Sequence, residues 1–230
     1  MQIIPVIDIK NGLVVHARQG NREFYQPLQS SLCDSTQPHA VINAFLALHA
    51  FPAVYIADLN RLSADGNNTQ LIDSLLEQFP QVQFWIDQGV LYKHSDHLAR
   101  NWNQVIGSES LTDSMLSAMA SKPAGLILSL DFKQSLIGPN QLLETDKYWP
   151  EQVIIMALSK VGSNTGPDWE RLEKIQQLTT RCRLVAAGGI RGLSDLHKLS
   201  KMGIHSALLA SCLHNGQLSA TDIQQLFDQK

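Results

Sequence analysis

Two aspartates stand out for where they fall in the chain. Asp8 closes the apolar run Ile3-Ile4-Pro5-Val6-Ile7, and Asp131 closes Leu126-Ile127-Leu128-Ser129-Leu130. A carboxylate just beyond a strand-like run sits partly out of water, which raises its pKa and lets it move protons near neutral pH. Two such acids facing one another can serve a single substrate as general base and general acid. Lys10, Lys133 and Lys160 also fall at strand ends, and a lysine in apolar surroundings loses proton affinity and can form a Schiff base with a carbonyl. Lys160, after Ile154-Ile155-Met156-Ala157-Leu158-Ser159, is the most suggestive of the three. Asp58 and Asp87 end two further runs. Lys10, Asp58 and Gly162 are the candidate substrate contacts.

A second kind of chemistry is written in small residues. Leu184-Val185-Ala186-Ala187 ends in Gly188-Gly189, and Ser206-Ala207-Leu208-Leu209 ends in Ala210-Ser211, each followed by a helix-like stretch. Bare backbone N–H groups at such strand-to-helix turns attract an anion. Two in succession near a C-terminus match the phosphate grip after strands seven and eight of a (β/α)8 barrel.

The elements that must position these groups follow from hydrophobic periodicity. Strand-length runs occur at Ile3–Ile7, Ala53–Ala57, Val82–Ile86, Gln104–Gly107, Leu126–Leu130, Val153–Ala157, Leu184–Ala187 and Ser206–Ala210. Helical spacing appears between them, as in Val41, Ile42, Phe45, Leu46; in Leu71, Leu75, Leu76, Phe79; in Leu111, Met115, Leu116, Met119; and in Leu172, Ile175, Leu178 behind Asp168 as N-cap. Ser219 or Thr221 can cap a last helix carrying Ile223, Leu226 and Phe227. Eight alternating units in 230 residues, with no linker to divide them, predict a single α/β domain over 1–230, a (β/α)8 TIM barrel. An open doubly wound sheet would place its Gly-rich turn after the first strand, where this chain has Asp8-Ile9-Lys10. Residues 12–37 form an extended loop after the first strand, beginning as a hairpin arm at Gly12–Arg18, and a long loop here is a candidate lid.

The two halves of the chain echo one another. Val6-Ile7-Asp8-Ile9-Lys10 resembles Leu128-Ser129-Leu130-Asp131-Phe132-Lys133; Ile86-Asp87-Gln88-Gly89-Val90 parallels Ala186-Ala187-Gly188-Gly189-Ile190; and Val105-Ile106-Gly107-Ser108 parallels Leu208-Leu209-Ala210-Ser211. Two related half-barrels place two acids across one mouth and two anion sites on opposite sides of it.

Composition excludes several classes. A net charge of −3 argues against a general nucleic-acid or membrane-surface binder. Three scattered cysteines form no disulfide or zinc framework, which points to a reducing cytoplasm. The eight histidines show no metal spacing; His94 and His97, the closest pair, read as an exposed helix face. Ile3–Ile7 reads as a strand from the start, so no signal peptide is expected, and no apolar run approaches the roughly 18 residues of a spanning helix.

These motifs resemble the histidine-biosynthesis (β/α)8 barrel family, whose members include ProFAR isomerase, an Amadori aldose–ketose isomerase, and the cyclase subunit of imidazole glycerol phosphate synthase. The matching pieces are Ile4–Gly12, Val14-Val15 with Gln19-Gly20, Ile56–Leu59, Ile106–Ser108, Ser129–Asp131, Gly162 with Gly166-Pro167, and Ala187–Ile190. The resemblance implies catalytic acids at Asp8 and Asp131. It implies phosphate grips at Gly89, Gly107 and Ser108, and at Gly188, Gly189, Ala210 and Ser211. The departures are specific. The family's triple-glycine turn after strand three, followed by Ile-Arg, here reads Asp87-Gln88-Gly89-Val90-Leu91. Met156 replaces a Thr, Val161-Gly162 replaces Asp-Gly, and Ala210 replaces a Gly. The Asp-X-Lys-Asn after strand one and Lys160 are also similar to the barrel synthase that makes the furan phosphate precursor of methanofuran, where the latter lysine forms a Schiff base.

The expectation is a divergent, cytoplasmic barrel enzyme acting on a small phosphorylated, sugar-like metabolite by acid–base chemistry, with no metal or redox cofactor. Its setting would lie outside the standard isomerase reaction, with one-carbon cofactor synthesis as the implied pathway. The rivals are a carbon–carbon lyase or synthase working through Lys160 on triose phosphates, and a phosphate-ligand binding protein without catalysis.

Overall fold

The computed structural model describes residues 1–89, 101–121 and 124–228. Eight parallel strands run in chain order: β1 (Gln2–Lys10), β2 (Ala53–Asp58), β3 (Gln83–Asp87), β4 (Trp102–Gly107), β5 (Leu126–Phe132), β6 (Gln152–Ala157), β7 (Arg183–Ala187) and β8 (Ser206–Leu209). Each pairs with its successor, and β8 pairs back onto β1 with Gln2 opposite Ser206 and Pro5 opposite Leu209, which closes the ring. The chain is therefore a single (β/α)8 barrel.

Period-two alternation sorts the strand residues into two cores. Ile4, Tyr55, Trp85, Val105, Ile127, Ile154, Val185 and Leu208 pack inside the ring. Their neighbours of opposite parity, such as Ile3, Ile7, Ile56, Phe84, Leu128 and Ile155, pack outward against the helices. Helices Pro38–Leu48, Thr69–Gln78, Trp169–Gln176, Leu193–Lys201 and Ala220–Asp228 meet them with Phe45, Ile72, Leu75, Leu172, Leu196 and Ile223. Strands apolar on both faces are what a parallel sheet covered by helices requires.

Three differences from the sequence reading have physical causes. β1 and β5 extend past their apolar runs, so Asp8 and Asp131 belong to the strands, with Asp8 opposite Ala57 and Asp131 opposite Met156. The Leu111–Met119 segment is not one helix: Thr112 is extended and its hydroxyl bonds that of Ser114 (2.9 Å), so only Leu116–Ala120 is α-helical. After β5 the helical piece is one turn, Gln141–Glu144, following Pro139. His94, His97, Val90 and Leu91 lie outside the described residues.

The loop after β1 begins as the expected arm. Leu13–His16 pairs antiparallel with β1 through an Asn11-Gly12 turn in which both residues have positive φ (53° and 79°), the backbone that an Asn-Gly hairpin supplies. Gln26–Pro27 adds a short third strand to the arm. No helix among the described residues is long and apolar enough to cross a membrane.

Candidate active site at the barrel mouth

The alternation that builds the inner core also aims polar side chains upward. From Ile4 the inward parity of β1 runs through Val6 to Asp8; on β3 it reaches Asp87 and on β5 Asp131. All three carboxylates line one cavity of about 180 Å³, together with Tyr55, Met156 and Ala187. With eight strands in the ring, β1 and β5 stand opposite one another.

The three carboxyls are held differently. Asp131 Oδ1 accepts from Ser129 Oγ (2.6 Å) and Oδ2 from the Glu109 N–H (3.3 Å), while its own N–H donates to Ser108 Oγ (2.9 Å). Asp87 Oδ2 accepts from the Tyr55 hydroxyl (2.9 Å) and Oδ1 from the Gly89 N–H (3.2 Å). Asp8 lines the cavity, and no hydrogen bond to its carboxyl is found among the described residues.

Burial dominates their ionisation. Loss of water pushes Asp131 up to about 8, helped by the negative charge of Asp87 and opposed by the Ser129 hydroxyl. Burial likewise lifts Asp8 to about 7, with the Arg22 guanidinium pulling down and Asp87 pushing up. Asp87 rises only to about 6, because the Gly89 N–H and the Tyr55 hydroxyl favour its charged form.

These shifts fix a pH dependence of stability. A carboxyl whose pKa is higher in the folded chain stabilises the fold fully below its ordinary value, and that contribution is lost as pH rises through the folded value. Between pH 4 and pH 8 the three carboxyls therefore erode stability. Asp131→Asn removes one share, so its melting temperature should exceed wild type by about 5 °C at pH 8 and match it near pH 4. Scanning calorimetry at the two pH values reads this directly; an equal difference at both would remove the burial account.

The arm closes one side of the mouth. Gln19 N–H donates to the Val161 carbonyl (2.8 Å), and Lys10 Nζ donates to the Arg22 carbonyl (2.9 Å). Arg22 pairs with Glu109 from the loop after β4. Gly162 lies against the arm so closely that a Cβ would meet the Ala17 carbonyl at 2.2 Å. Of the three expected substrate contacts, then, Gly162 lines the cavity, while Lys10 braces the arm from outside the lining set. Asp58 is fully buried and absent from the lining; four donors occupy its carboxylate, from Arg61 N, Asn68 N, Asn68 Nδ2 and Gln88 Nε2.

The two expected anion turns differ. Gly188 and Gly189 have φ of 99° and 79°, and a Cβ on either would strike the carbonyl of Ala157 or Gly166 at about 2.5 Å. Both glycines line the cavity beside Ala210 and Ser211. Gly89, Gly107 and Ser108 do not line it. The Gly89 N–H is taken by Asp87, a Cβ on Gly107 would lie 2.6 Å from Asp131 Oδ2, and Ser108 Oγ accepts the Asp131 N–H.

Lys160 ends the 3-10 turn Leu158–Lys160, its Cβ beside Gly189, and is not among the lining residues. Arg191 bonds Asp195 through both backbone and guanidinium. Arg22, Glu109, Tyr25 and Tyr55 line the mouth without having been singled out in the sequence. Tyr55 shares the inward parity of Ala53 and Ala57, a usable signal; Arg22 and Glu109 sit in loops and carry none. Among the described residues no group of His, Cys, Asp and Glu has the geometry to hold a metal ion.

Comparison with known proteins gives one consistent picture. Residues 2–219 match the family described as histidine biosynthesis protein. An uncharacterized protein of Methanocaldococcus jannaschii is 30% identical over 99% of both chains. At 26% identity over 98% of both stands a protein of Listeria welshimeri named 1-(5-phosphoribosyl)-5-((5-phosphoribosylamino)methylideneamino) imidazole-4-carboxamide isomerase. A protein of the same name from Oceanobacillus iheyensis is 24% identical over 97% of both.

Proposed function

Because the chain belongs to the histidine biosynthesis protein family, we propose that it is an isomerase-like enzyme that moves protons on a small, phosphorylated, sugar-like metabolite. One observation carries the reading: carboxyls from opposite strands share a cavity with an open pair of glycine and small-residue turns. Asp131, pushed to about 8, is protonated at neutral pH and acts as the acid. Asp8, near 7, is substantially ionised there and acts as the base. In this reaction Asp8 takes a proton from the carbon next to a carbonyl or imine while Asp131 delivers one to its oxygen or nitrogen. The phosphate lies against Gly188, Gly189, Ala210 and Ser211.

Two features separate the substrate from that named for the Listeria relative, which carries two phosphoribosyl groups. The cavity is about 180 Å³, below the range typical of drug-sized ligand sites. Met156, a lining residue, is apolar where the family resemblance implies a threonine hydroxyl. The reaction thus falls in cytoplasmic small-molecule metabolism outside histidine synthesis, with a one-carbon cofactor pathway as the proposed setting.

The test pairs two measurements. The chain should fail to restore growth to a strain lacking the imidazole-carboxamide isomerase, and millimolar ribose 5-phosphate or a triose phosphate should raise its melting temperature by about 2–4 °C. Restored growth would return it to the standard reaction. The absence of a shift with every phosphate ester would remove the phosphate site. A shift without turnover across the ligand panel would instead make the barrel a binding protein.

A further inference from the structure

We infer that the site accepts one phosphate and excludes a second, and that Asp87 is the residue that sets this limit. The inference rests on the phosphate reading of the β7 and β8 turns and adds a substrate class to it: monophosphates whose far end bears no negative charge.

The argument compares the two halves of one ring. The β7 and β8 turns open onto the cavity, and among the described residues the N–H groups of Gly189, Ile190, Ala210 and Ser211 donate no hydrogen bond outside the sheet and helix ladders. The described residues of the corresponding turns after β3 and β4 turn their groups inward instead. Asp87 Oδ1 takes the Gly89 N–H at 3.2 Å, and the Asp131 carboxyl lies over the Gly107 Cα. Ser108 is fully buried, and its hydroxyl oxygen accepts the Asp131 N–H. Of the two cations among the described residues that line the cavity, Arg22 and Lys133, Arg22 is paired with Glu109. An anion arriving there would meet the carboxylates of Asp87 and Glu109, and among the described residues the Gly89 N–H is already taken by Asp87; like charges brought together out of water repel strongly.

Asp87 governs this end because Tyr55 and Gly89 keep it ionised and oriented. Neutralising it frees no space but removes the charge. The Asn side chain keeps an oxygen for the Tyr55 hydroxyl.

Calorimetric titration of the full chain at pH 7.5 with ribulose 5-phosphate and ribulose 1,5-bisphosphate provides the test. Wild type should bind the monophosphate at least about tenfold more tightly than the bisphosphate, a fraction of what a like-charge juxtaposition costs. Asp87→Asn should narrow that ratio to within about threefold, mainly by improving the bisphosphate. Glu109→Gln, which releases Arg22, should shift the ratio the same way and serves if Asp87→Asn does not fold. Bisphosphate binding equal to or tighter than monophosphate in wild type would overturn the inference, as would variants that change both ligands alike. If neither ester nor inorganic phosphate binds wild type, the phosphate site itself fails and this inference falls with it.

Discussion

An Asp131→Asn variant should lose about 10²–10⁴-fold in kcat on the phosphate ester that wild type turns over, with its affinity for that ester changed less than about threefold. The asymmetry follows from the site. Asp131 is the carboxyl most strongly held in its protonated form, so it supplies a proton that Asn cannot. Asn retains an oxygen for the Ser129 hydroxyl and the Glu109 N–H, which keeps the loop after β4 in place. The proposed phosphate turns stand on β7 and β8, with β6 between them and β5 in the ring. Asp8→Asn should give a loss of the same order, and the double variant little more than either single one, because a base and an acid acting in one proton transfer are not additive. Steady-state kinetics with direct ligand titration checks this; turnover surviving in both single variants would end the acid–base reading.

The second large effect concerns folding. Asp58→Ala should lower the free energy of unfolding by about 3 kcal/mol while leaving turnover within a few-fold, since Asp58 does not line the cavity. Its carboxylate receives Asn68 twice, at 2.9 and 2.7 Å, and caps the short helix Leu59–Leu62 through the Arg61 N–H at 3.2 Å. Asn68 in turn bonds Asn60 and the Gly12 N–H, and Asn60 exchanges 2.7 Å bonds with Asn11. Removing Asp58 strands buried donors at the hub of the network that ties the arm's turn to the loop after β2. Urea unfolding should show a lower midpoint with an unchanged slope. A midpoint within error of wild type would mean that the network is not a stabilising unit.

Much of this barrel was legible before any coordinates. The eight apolar runs mark the strands because both faces of a covered parallel sheet are dry, and the alternation over Gly12–Arg18 marks the arm, whose Asn11-Gly12 turn the structure shows with positive φ twice. Asp8 and Asp131 were readable as a facing pair from the echo between the halves. Their membership of the strands was not, since an apolar run ends at a carboxylate in sequence even when the ladder continues. The capture of the Gly89 N–H by Asp87 was foreshadowed by Asp87-Gln88 where glycines were expected. The pairing of Arg22 with Glu109 was not legible: each comes from a loop, 87 residues apart, and only closure of the ring brings them together. Lys10 and Asp58 were legible as rim residues, but their hydrogen bonds commit them to bracing the loops, which no spacing rule states.

The most direct measurement is the titration of the aspartates themselves, followed by NMR of carboxyl-13C-labelled protein and assigned with the Asp8→Asn and Asp131→Asn variants. Burial in a shared cavity predicts that Asp131 loses its proton near pH 8 and Asp8 near pH 7, with Asp87 below both at about 6. Ordinary titration of Asp8 and Asp131 near pH 4 would contradict the account, because carboxylates that are fully ionised at neutral pH could not divide the roles of acid and base between them.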